Sequence, residues 1–403
     1  MSECRLVPHI RFMNFYSEWN TVKLSRLLNV YDGVHQTPTY TKSGVPFVSV
    51  ENIRNLKTNK YISKNDFDLQ FKSSKPACGD LLMTRIGDIG TVNIIKSDGD
   101  LAYYVSLALL KPKAKSCKNV RNSYYLMYLV ESPRVKKELW KRTLHIAFPK
   151  KINKNEISKI TICTSSDIGE QQKIGGLFAK LDRLLDLQQQ KLDQLELLKK
   201  ALLQKLFPKQ DAKIPELRFK GFVEEWGDFV LGKIAKFLNG RAYKQSELLE
   251  KGKYPVLRVG NFYTNDSWYY SNLQLPEKYY AKKGDLLYTW SATFGPHIWN
   301  GSTVIYHYHI WKIELSSLLN KEFTYQLLLE DRSKLLNNTN GSTMIHLTKS
   351  EMESKLVKIP NIAEQQKIGN LLAKIDRLIE LENKKFSNLK LVKKSLLQNM
   401  FVE

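Results

Sequence analysis

The chain has 403 residues, of which 63 are Lys or Arg and 40 are Asp or Glu, so its formal net charge at pH 7 is +23. Because one domain usually takes about 100–200 residues, this length predicts two or three domains. Hydrophobic residues make up 42% and charged residues 26%, which excludes a wholly disordered chain. No apolar run is long enough for a membrane-spanning helix, and the N-terminus lacks the apolar stretch of a secretory signal.

The cysteines indicate a reducing compartment. Cys4, Cys78, Cys117 and Cys163 are far apart in sequence and form no CxxC pair. This spacing predicts neither a disulfide framework nor a structural zinc site. We therefore expect reduced thiols and a cytoplasmic protein.

The excess of positive charge favours a polyanionic partner, either nucleic acid or an anionic membrane surface. A lysine-rich bias of the source proteome is the alternative explanation. The charge is not confined to a tail, since residues 1–165 carry +14 and residues 208–360 carry +5. No basic amphipathic helix with exposed apolar residues is evident, which disfavours a membrane. Nucleic acid is the expected partner.

Residues 1–165 predict a strand-rich globular domain with a few short helices. Apolar and β-branched residues predict strands at 44–50 and 90–95, and a helical pattern occupies 122–131. The segment 85–90, RIGDIG, is interpreted as a structural loop rather than a cofactor site.

Residues 166–207 predict one long helix. Apolar residues recur every three or four positions, and no proline interrupts the pattern before Pro208, which ends it. Asp167 is suited to cap the first turn. About 40 residues at ~1.5 Å each give a helix of ~60 Å, which is longer than a small domain is wide.

Residues 208–360 repeat the landmarks of the first domain. The segment 214–226, IPELRFKGFVEEW, matches 7–19, VPHIRFMNFYSEW, at six identically spaced residues, and GDLL at 79–82 recurs at 284–287. We predict strands at 253–259 and 302–313 and a helix at 320–336.

Residues 361–403 repeat the long helix. Positions 362–401 align with 168–207 without a gap, 23 of the 40 residues are identical, and Asn361 is suited to cap the helix. The chain is therefore a tandem duplication, and because the halves differ between their landmarks we infer one scaffold that carries two different surfaces. Either helix alone would expose an apolar stripe, so we predict an intramolecular coiled coil, parallel or antiparallel.

Motifs for catalysis are absent from the sequence. It contains no GxxxxGK[ST] phosphate-binding loop, no GxGxxG fingerprint, no adjacent prolines for the Asn/Asp-Pro-Pro-aromatic loop of adenine methyltransferases, and no Pro-Asp that could begin a restriction-nuclease motif. His307 and His309 would lie on one face of the strand predicted at 302–313, but without a third ligand we interpret them as ordinary strand residues. We predict no catalytic and no metal site.

The tandem P-x-Φ-R-F-x-x-F-x-x-E-W segments, the GDLL landmarks and the twin EQQKIG helices resemble the specificity subunit of type I restriction–modification systems, over essentially all 403 residues. The resemblance implies an α+β fold in which two target-recognition domains, 1–165 and 208–360 (208–214 being a linker), are separated by spacer helices at 166–207 and 361–403, packed as an antiparallel intramolecular coiled coil.

The resemblance also implies a function. Such a subunit reads a bipartite, asymmetric sequence in double-stranded DNA and has no catalysis or cofactor of its own. It recruits two modification subunits that use S-adenosylmethionine to methylate adenine and, where they are present, two restriction subunits that use ATP and Mg²⁺. A membrane plays no part.

Candidate site residues follow from their chemistry. Arginine can bind guanine in a bidentate manner, an aromatic ring can pack on sugar or base, and lysine or arginine can bind phosphate. The candidates for DNA binding are Arg85, Trp290, Lys150, Lys151, Arg241, Lys244 and Arg258. For each of them, a surface ion pair or a packing role is the alternative.

The start of each long helix is the candidate docking site for a modification subunit, because identical surfaces suit two copies of one partner. The residues are Glu170, Gln171, Gln172, Lys173, Glu364, Gln365, Gln366 and Lys367. The alternative is that they only cap and solvate the helix.

Two other function classes stay open from the sequence. A stand-alone DNA-binding regulator or architectural protein would bind DNA without a methyltransferase. An enzyme with an unrecognised active site would methylate or cleave DNA as the purified chain. The sequence does not specify the target bases, since DNA shape also contributes to recognition.

Overall fold

The computed structural model describes residues 6–113, 120–209, 211–263, 265–291, 293–338 and 347–402, without the side chains of 120–122, 337 and 338. In these ranges no helix is both long and apolar enough to cross a membrane. The chain divides into two compact units, one formed by 1–189 with 384–403 and the other by 190–383. Each unit therefore takes a short segment from the other half of the sequence.

The first half of the chain ends in a long helix. Its elements are β1 (Asn20–Lys23), α1 (Leu24–Leu27), β2 (Leu28–Asp32), β3 (Val45–Val48), β4 (Tyr61–Ile62), α2 (Lys64–Gln70), β5 (Leu81–Ile86), β6 (Asp88–Ile94), β7 (Ala102–Tyr103), β8 (Leu107–Pro112), α3 (Val120–Glu131), α4 (Pro133–Lys141), α5 (Lys154–Ser158), β9 (Thr161–Thr164) and α6 (Ile168–Leu206).

The second half follows the same plan. Its elements are β10 (Gly227–Val230), α7 (Leu231–Ile234), β11 (Ala235–Asn239), β12 (Tyr254–Leu257), β13 (Tyr269–Ser271), β14 (Tyr280–Ala281), β15 (Leu286–Thr289), β16 (Gly295–Ile298), β17 (Val304–Tyr306), β18 (Ile310–Leu315), α8 (Lys321–Asn338), α9 (Lys349–Ser354), β19 (Leu356–Ile359) and α10 (Ile362–Asn399).

The sheets of the two units correspond in topology, except that the second unit has one additional edge strand, β14. In the first unit the strand orders are β1-β9, β2-β8-β5-β6 and β4-β3-β7; in the second they are β10-β19, β11-β18-β15-β16 and β13-β12-β17-β14. Each unit has one parallel pair at the equivalent place, β3 with β7 and β12 with β17. The duplication inferred from the landmarks is therefore a duplication of fold, and the α+β class is confirmed.

Glycine allows one close approach that recurs in both units. A Cβ on Gly33 would lie 2.5 Å from the Tyr104 carbonyl carbon, and one on Gly240 would lie 2.2 Å from the His307 carbonyl oxygen. Any larger residue would push the chain that follows β2 or β11 away from the neighbouring turn.

The single strand predicted at 302–313 is wrong. The chain forms two strands, β17 and β18, which belong to different sheets, and it turns between them at 307–309. The Ile310 amide donates to the His307 carbonyl at 3.0 Å and closes this turn. Alternation of apolar residues continued through the turn, so the sequence pattern did not reveal it.

The two long helices begin as predicted. The Glu170 amide donates to Asp167 Oδ1 and the Glu364 amide donates to Asn361 Oδ1, both at 3.0 Å. Each short polar side chain thereby satisfies one of the free amides of the first helical turn. Helix α6 ends before Pro208, as expected.

Buried and half-buried residues recur along both helices with alternating spacings of four and three, the repeat of a coiled-coil seam. The positions are Leu181, Leu185, Gln188, Leu192, Leu195 and Lys199 in α6, and Ile375, Ile379, Glu382, Phe386, Leu389 and Lys393 in α10. All six positions correspond under the duplication, offset by 194 residues.

Within each unit the helix segments run antiparallel. In the first unit Asp182 forms an ion pair with Lys393 at 2.6 Å, and Phe178 contacts Phe401 with ring centroids 6.0 Å apart. In the second unit Lys199 pairs with Asp376 at 2.5 Å, and Lys191 pairs with Glu382. Rising numbers in α6 meet falling numbers in α10, so the antiparallel direction implied by the resemblance is confirmed.

The end of α10 completes the core of the first unit. The Phe401 side chain is 2% exposed, and its ring lies 6.0 Å from Trp19 and 5.9 Å from Tyr125, between centroids. Phe207, its counterpart, packs equivalently against Trp226 and Phe323 in the second unit. Both tryptophans are the last residue of the repeated 13-residue motif, so that motif forms the pocket for the helix end.

Replacing Phe401 with Ala should lower the free energy of unfolding by about 3–5 kcal/mol, because it leaves a cavity among buried rings. Chemical denaturation followed by tryptophan fluorescence measures the change. Leu391→Ala is the matched control on the same helix, since Leu391 is exposed, and should cost less than about 1 kcal/mol. Equal losses from both variants would contradict the assigned core.

Candidate DNA interface and partner surface

The repeated motif and the start of the long helix are joined by a buried ion pair. Arg11 donates from Nε and Nη2 to the two Glu170 carboxylate oxygens at 2.5 and 2.9 Å, and Trp19 Nε1 donates to the same carboxylate at 3.1 Å. In the second unit Arg218 donates to both Glu364 oxygens at 2.8 Å. Both glutamates are fully buried. The arginine and the glutamate of the two landmarks are therefore partners.

These contacts narrow the predicted partner surface. Glu170, Glu364 and Gln365 are buried and already bonded within the chain; Gln365 donates to the carbonyls of Leu318 and Pro360 at 2.8 and 2.9 Å. A partner cannot reach these three side chains, because their polar atoms are enclosed.

The other five predicted partner residues are at least partly accessible. Gln171 and Gln172 are half-buried, and Gln171 donates to the Ser165 carbonyl at 2.7 Å. Lys173, Gln366 and Lys367 are exposed. Each lysine lies over a phenylalanine ring of the repeated motif, Lys173 over Phe15 at 5.0 Å and Lys367 over Phe222 at 4.9 Å. For these residues, partner contact stays a prediction.

Arg85 does not have the exposure that reading of a base requires. It is buried at the end of β5 and forms an ion pair with Asp32 at the end of β2. Burial lowers the pKa of Arg85 from its usual value. The guanidinium group of Arg85 is therefore engaged within the domain and is not available to a base. The sequence pattern did not indicate Asp32 as its partner.

Lys150 and Lys151 are brought beside Arg85 by backbone pairing. The Gly87 amide donates to the Lys150 carbonyl at 2.8 Å, and the Ile152 amide donates to the Arg85 carbonyl at 3.0 Å. Both lysine side chains are exposed. Three predicted DNA-binding residues that are distant in sequence therefore converge at the tip of the β5–β6 hairpin.

Three of the four candidates of the second half also converge, around the turn at 307–309. Arg241 pairs with His307 in an isolated β-bridge, and Trp290 Nε1 donates to the Tyr308 carbonyl at 2.9 Å. Arg258 directly follows β12, whose Leu257 carbonyl accepts from the His307 amide at 2.9 Å.

Two of the second-half cations are engaged within the chain. Arg241 donates to both Glu247 oxygens at 2.8 and 2.7 Å, which lowers the pKa of Glu247 to about 2. Arg258 lies 4.3 Å from the centre of the Tyr269 ring. Lys244, in contrast, has an exposed side chain.

The two convergence points are the same place in the fold. Arg85 and Trp290 donate their amides to Ser106 and His309 at 2.9 and 3.2 Å, at the ends of the equivalent strands β5 and β15. The side chains on this shared backbone frame are unlike: Val34, Tyr104, Val105, Ser106 and Arg85 in the first unit correspond to Arg241, His307, Tyr308, His309 and Trp290 in the second. We name these two sets the recognition edges.

The histidines of the second recognition edge lie in the turn and not on one strand face as predicted. Burial lowers the pKa of His307 to about 4, with His309 and Arg258 acting in the same direction. His307 is therefore neutral at pH 7. No cluster of His, Cys, Asp and Glu that could hold a metal ion occurs among the described residues. Among the described cysteines, Cys78 and Cys163 are free thiols. Cys4 and Cys117 lie outside the described residues.

Exposed apolar residues on the long helices were not predicted as a site. They occupy identical positions in the two copies: Ile168, Leu184, Leu187, Leu197 and Leu198 in α6, and Ile362, Leu378, Leu381, Leu391 and Val392 in α10. Comparing the two copies for apolar positions outside the seam would have found them in the sequence.

The comparisons with known proteins agree with this duplicated geometry. The family described as "Type I restriction modification DNA specificity domain" matches twice, at residues 16–197 and 223–391. The chain belongs to this family. It is a type I restriction–modification specificity subunit with DNA-recognition domains.

Relatives support the assignment, and a solved structure shares the fold. The chain is 25% identical over 408 aligned positions to a putative type I restriction enzyme MjaX specificity subunit from Methanocaldococcus jannaschii, covering 94% of this chain and 92% of the relative. It is 31% identical over 160 residues to the EcoBI specificity subunit from Escherichia coli, covering 38% of this chain and 34% of that relative. The crystal structure of a type I S subunit from M. genitalium superposes with a TM-score of 0.65 at 15% identity, covering 98% and 99% of the two chains.

Arg11→Ala should lower the free energy of unfolding of the specificity subunit by about 3–5 kcal/mol, because Glu170 would be left buried without its ion pair. The double variant Arg11→Met/Glu170→Met should recover much of that loss, since it leaves no unpaired charge. Denaturant unfolding measures both. A single variant that loses less than about 1 kcal/mol would contradict the buried ion pair.

Proposed function

We propose that this specificity subunit reads a bipartite, asymmetric sequence in double-stranded DNA, one part with each recognition edge, and holds two modification subunits on its long helices. The carrying observation is the pair of recognition edges, which occupy the same position in the repeated fold but present different side chains. Two identical edges would suit a symmetric target, whereas two unlike edges suit an asymmetric one.

Charge supports DNA as the ligand. Phosphate contacts supply affinity without reading the sequence, while contacts to base edges supply specificity. Two exposed lysines, Lys150 and Lys151, lie beside the first edge and form no ion pair with any described carboxylate. The second edge relies more on aromatic rings, including the exposed Tyr308. We assign phosphate binding to the lysines and contacts to sugar and base to the rings.

The partner surfaces are assigned to the exposed apolar residues of the helices. In the first unit Leu184 and Leu187 lie one helical turn apart on one face of α6. In α10 the exposed Leu391 and Val392 directly precede Lys393, which forms an ion pair with Asp182 of α6. The second unit presents the counterparts of all four. Clustered apolar residues at a surface mark interaction sites more often than isolated ones do.

Twin apolar surfaces suit two copies of one partner. That partner in this proposal is the modification subunit, which would supply S-adenosylmethionine chemistry and extrude the target adenine from the duplex. Restriction subunits, where present, would supply ATP and Mg²⁺ chemistry. The specificity subunit contributes recognition and scaffolding but no reacting group.

The proposal is tested by copurifying the chain with its modification subunit, methylating a plasmid library in vitro, and mapping the modified adenines by sequencing. We expect one asymmetric two-part sequence. Tyr308→Ala should relax selectivity about tenfold at one part of the target only, because a specific contact to a base edge is typically worth ~1–3 kcal/mol of discrimination. Tyr16→Ala, which removes a more exposed ring elsewhere, is the control. A symmetric target, or DNA binding by the chain without any copurifying methyltransferase, would contradict the proposal.

The partner surfaces are tested separately by charge substitution. Leu184→Lys/Leu187→Lys should reduce the number of bound modification subunits from two to one, as should Leu378→Lys/Leu381→Lys, and the quadruple variant should bind none. Native mass spectrometry counts the copies. Leu69→Lys, on an exposed face of α2, should still bind two. Retention of two copies by the quadruple variant would place the docking site elsewhere.

A further inference from the structure

A loop beside the first recognition edge exposes two large apolar side chains. It lies between α4 and α5, at residues 142–151, RTLHIAFPKK. Both Ile146 and Phe148 are fully exposed. Complete exposure of an aromatic ring and a branched aliphatic side chain costs hydrophobic free energy that burial would recover.

The base of this loop is fixed to the fold. The Leu144 amide donates to the Lys151 carbonyl at 2.8 Å, and Lys151 pairs in turn with Ile86 of the β5–β6 hairpin. The buried Thr143 hydroxyl donates to the Leu139 carbonyl at 2.8 Å. The His145 ring packs on Trp140 with centroids 4.1 Å apart. The apolar tip, Ile146 to Pro149, therefore stands on an anchored base.

Positive charge surrounds the tip. Residues 139–155 include five cations and no acidic residue. The cations are Lys141, Arg142, Lys150, Lys151 and Lys154. Glu138 forms ion pairs with both Lys141 and Arg142, and Lys154 lies 3.5 Å from Asp32. Lys150 lies over the Trp140 ring at 5.0 Å and has no carboxylate partner among the described residues. The ammonium group of Lys150, next to the tip, is thus available to bind an external anion.

We propose that Phe148 and Ile146 insert between base pairs of the DNA duplex read by the first recognition domain, with Lys150 and Lys151 on the adjacent phosphates. The inference rests on the proposed function and adds the element that deforms the DNA. Proteins that kink DNA use apolar wedges of this kind, and unstacking of a base step is compensated by the extra contacts that the bend allows. The tip would then contribute to specificity through the deformability of one base step.

The surroundings favour DNA over a protein as the occupant. The cores of protein interfaces are depleted in lysine, because an ammonium group is costly to desolvate. Here two lysines directly follow the apolar tip, and they are joined by backbone bonds to the hairpin tip that carries Arg85. A duplex satisfies both features at once, since it offers apolar base faces between two rows of phosphates.

The test uses the complex of the full chain with its modification subunits, without S-adenosylmethionine, and the target duplex mapped by methylation. 2-Aminopurine, whose fluorescence rises when it is unstacked, replaces one base at a time in the part of the target read by the first domain, avoiding the methylated adenine. We expect a severalfold rise at one step with the wild-type complex. Phe148→Ala should abolish the rise and weaken binding about tenfold, in line with the loss of one stacking contact.

Controls separate the wedge from the rest of the account. Leu69→Ala, an exposed apolar truncation in the same domain, should behave as wild type. Lys150→Ala/Lys151→Ala should keep the fluorescence rise at saturation while reducing the salt dependence of binding by nearly two phosphate contacts.

Three results would overturn the wedge: no responsive position in the saturated wild-type complex, an equal rise with Phe148→Ala, or a loss of the modification subunit from the Phe148→Ala complex, which would assign the tip to a protein. A wild-type complex that fails to bind the mapped duplex would instead contradict the proposed function.

Discussion

The packing of each long-helix end in a pocket formed by the repeated motif is the constraint on which the rest of the structure depends. Phe401 fills the pocket beside Trp19, and Phe207 fills the one beside Trp226. At the same pocket the motif arginine binds the glutamate in the first turn of the other long-helix segment of that unit. Each core is therefore built from a motif, a helix start and a helix end. In each unit the motif and the helix start come from one half of the sequence, and the helix end comes from the other half.

This arrangement explains why the landmarks are the part of the sequence that recurs. Arg11 and Trp19 both donate to Glu170, as Arg218 donates to Glu364, so changing one residue alone would leave a buried charge or a cavity. The two recognition edges share a backbone frame but not its side chains: Arg85 of the first edge pairs with Asp32, whereas its counterpart in the second edge is Trp290. Their backbone frame is preserved by hydrogen bonds between main-chain atoms, which tolerate any side chain that fits. One scaffold can thus present two unlike surfaces.

Much of the fold could be predicted from the sequence because the duplication acts as an internal comparison. The long helices, their caps at Asp167 and Asn361 and the α+β class followed from periodicity and from matching segments. The direction of helix pairing did not follow from periodicity, since a long connection permits either direction. The turn at 307–309 was missed because apolar alternation passes through it from one sheet into another.

The candidate site was predictable only in location. Residues near the ends of β5 and β15 do converge. However, Arg85 forms an ion pair with Asp32, 53 residues away in sequence, and Arg241 forms one with Glu247, 6 residues away. Glu170 and Glu364 look like exposed polar residues of a helix start, yet their arginine partners lie about 150 residues earlier in the chain. Pairing over such distances has no local signature, and it decides whether a charged side chain is available to a ligand.

The central claim, that each unit needs the helix end supplied by a second repeat, is tested most directly by sedimentation equilibrium of the fragment 1–207. Its own helix end repeats the missing one, since Phe207 corresponds to Phe401 and Lys199 to Lys393. The account predicts that two copies exchange these ends and sediment as a folded dimer, with the ion pair of Asp182 reformed across the copies. A fragment that is folded and monomeric at micromolar concentration would contradict it.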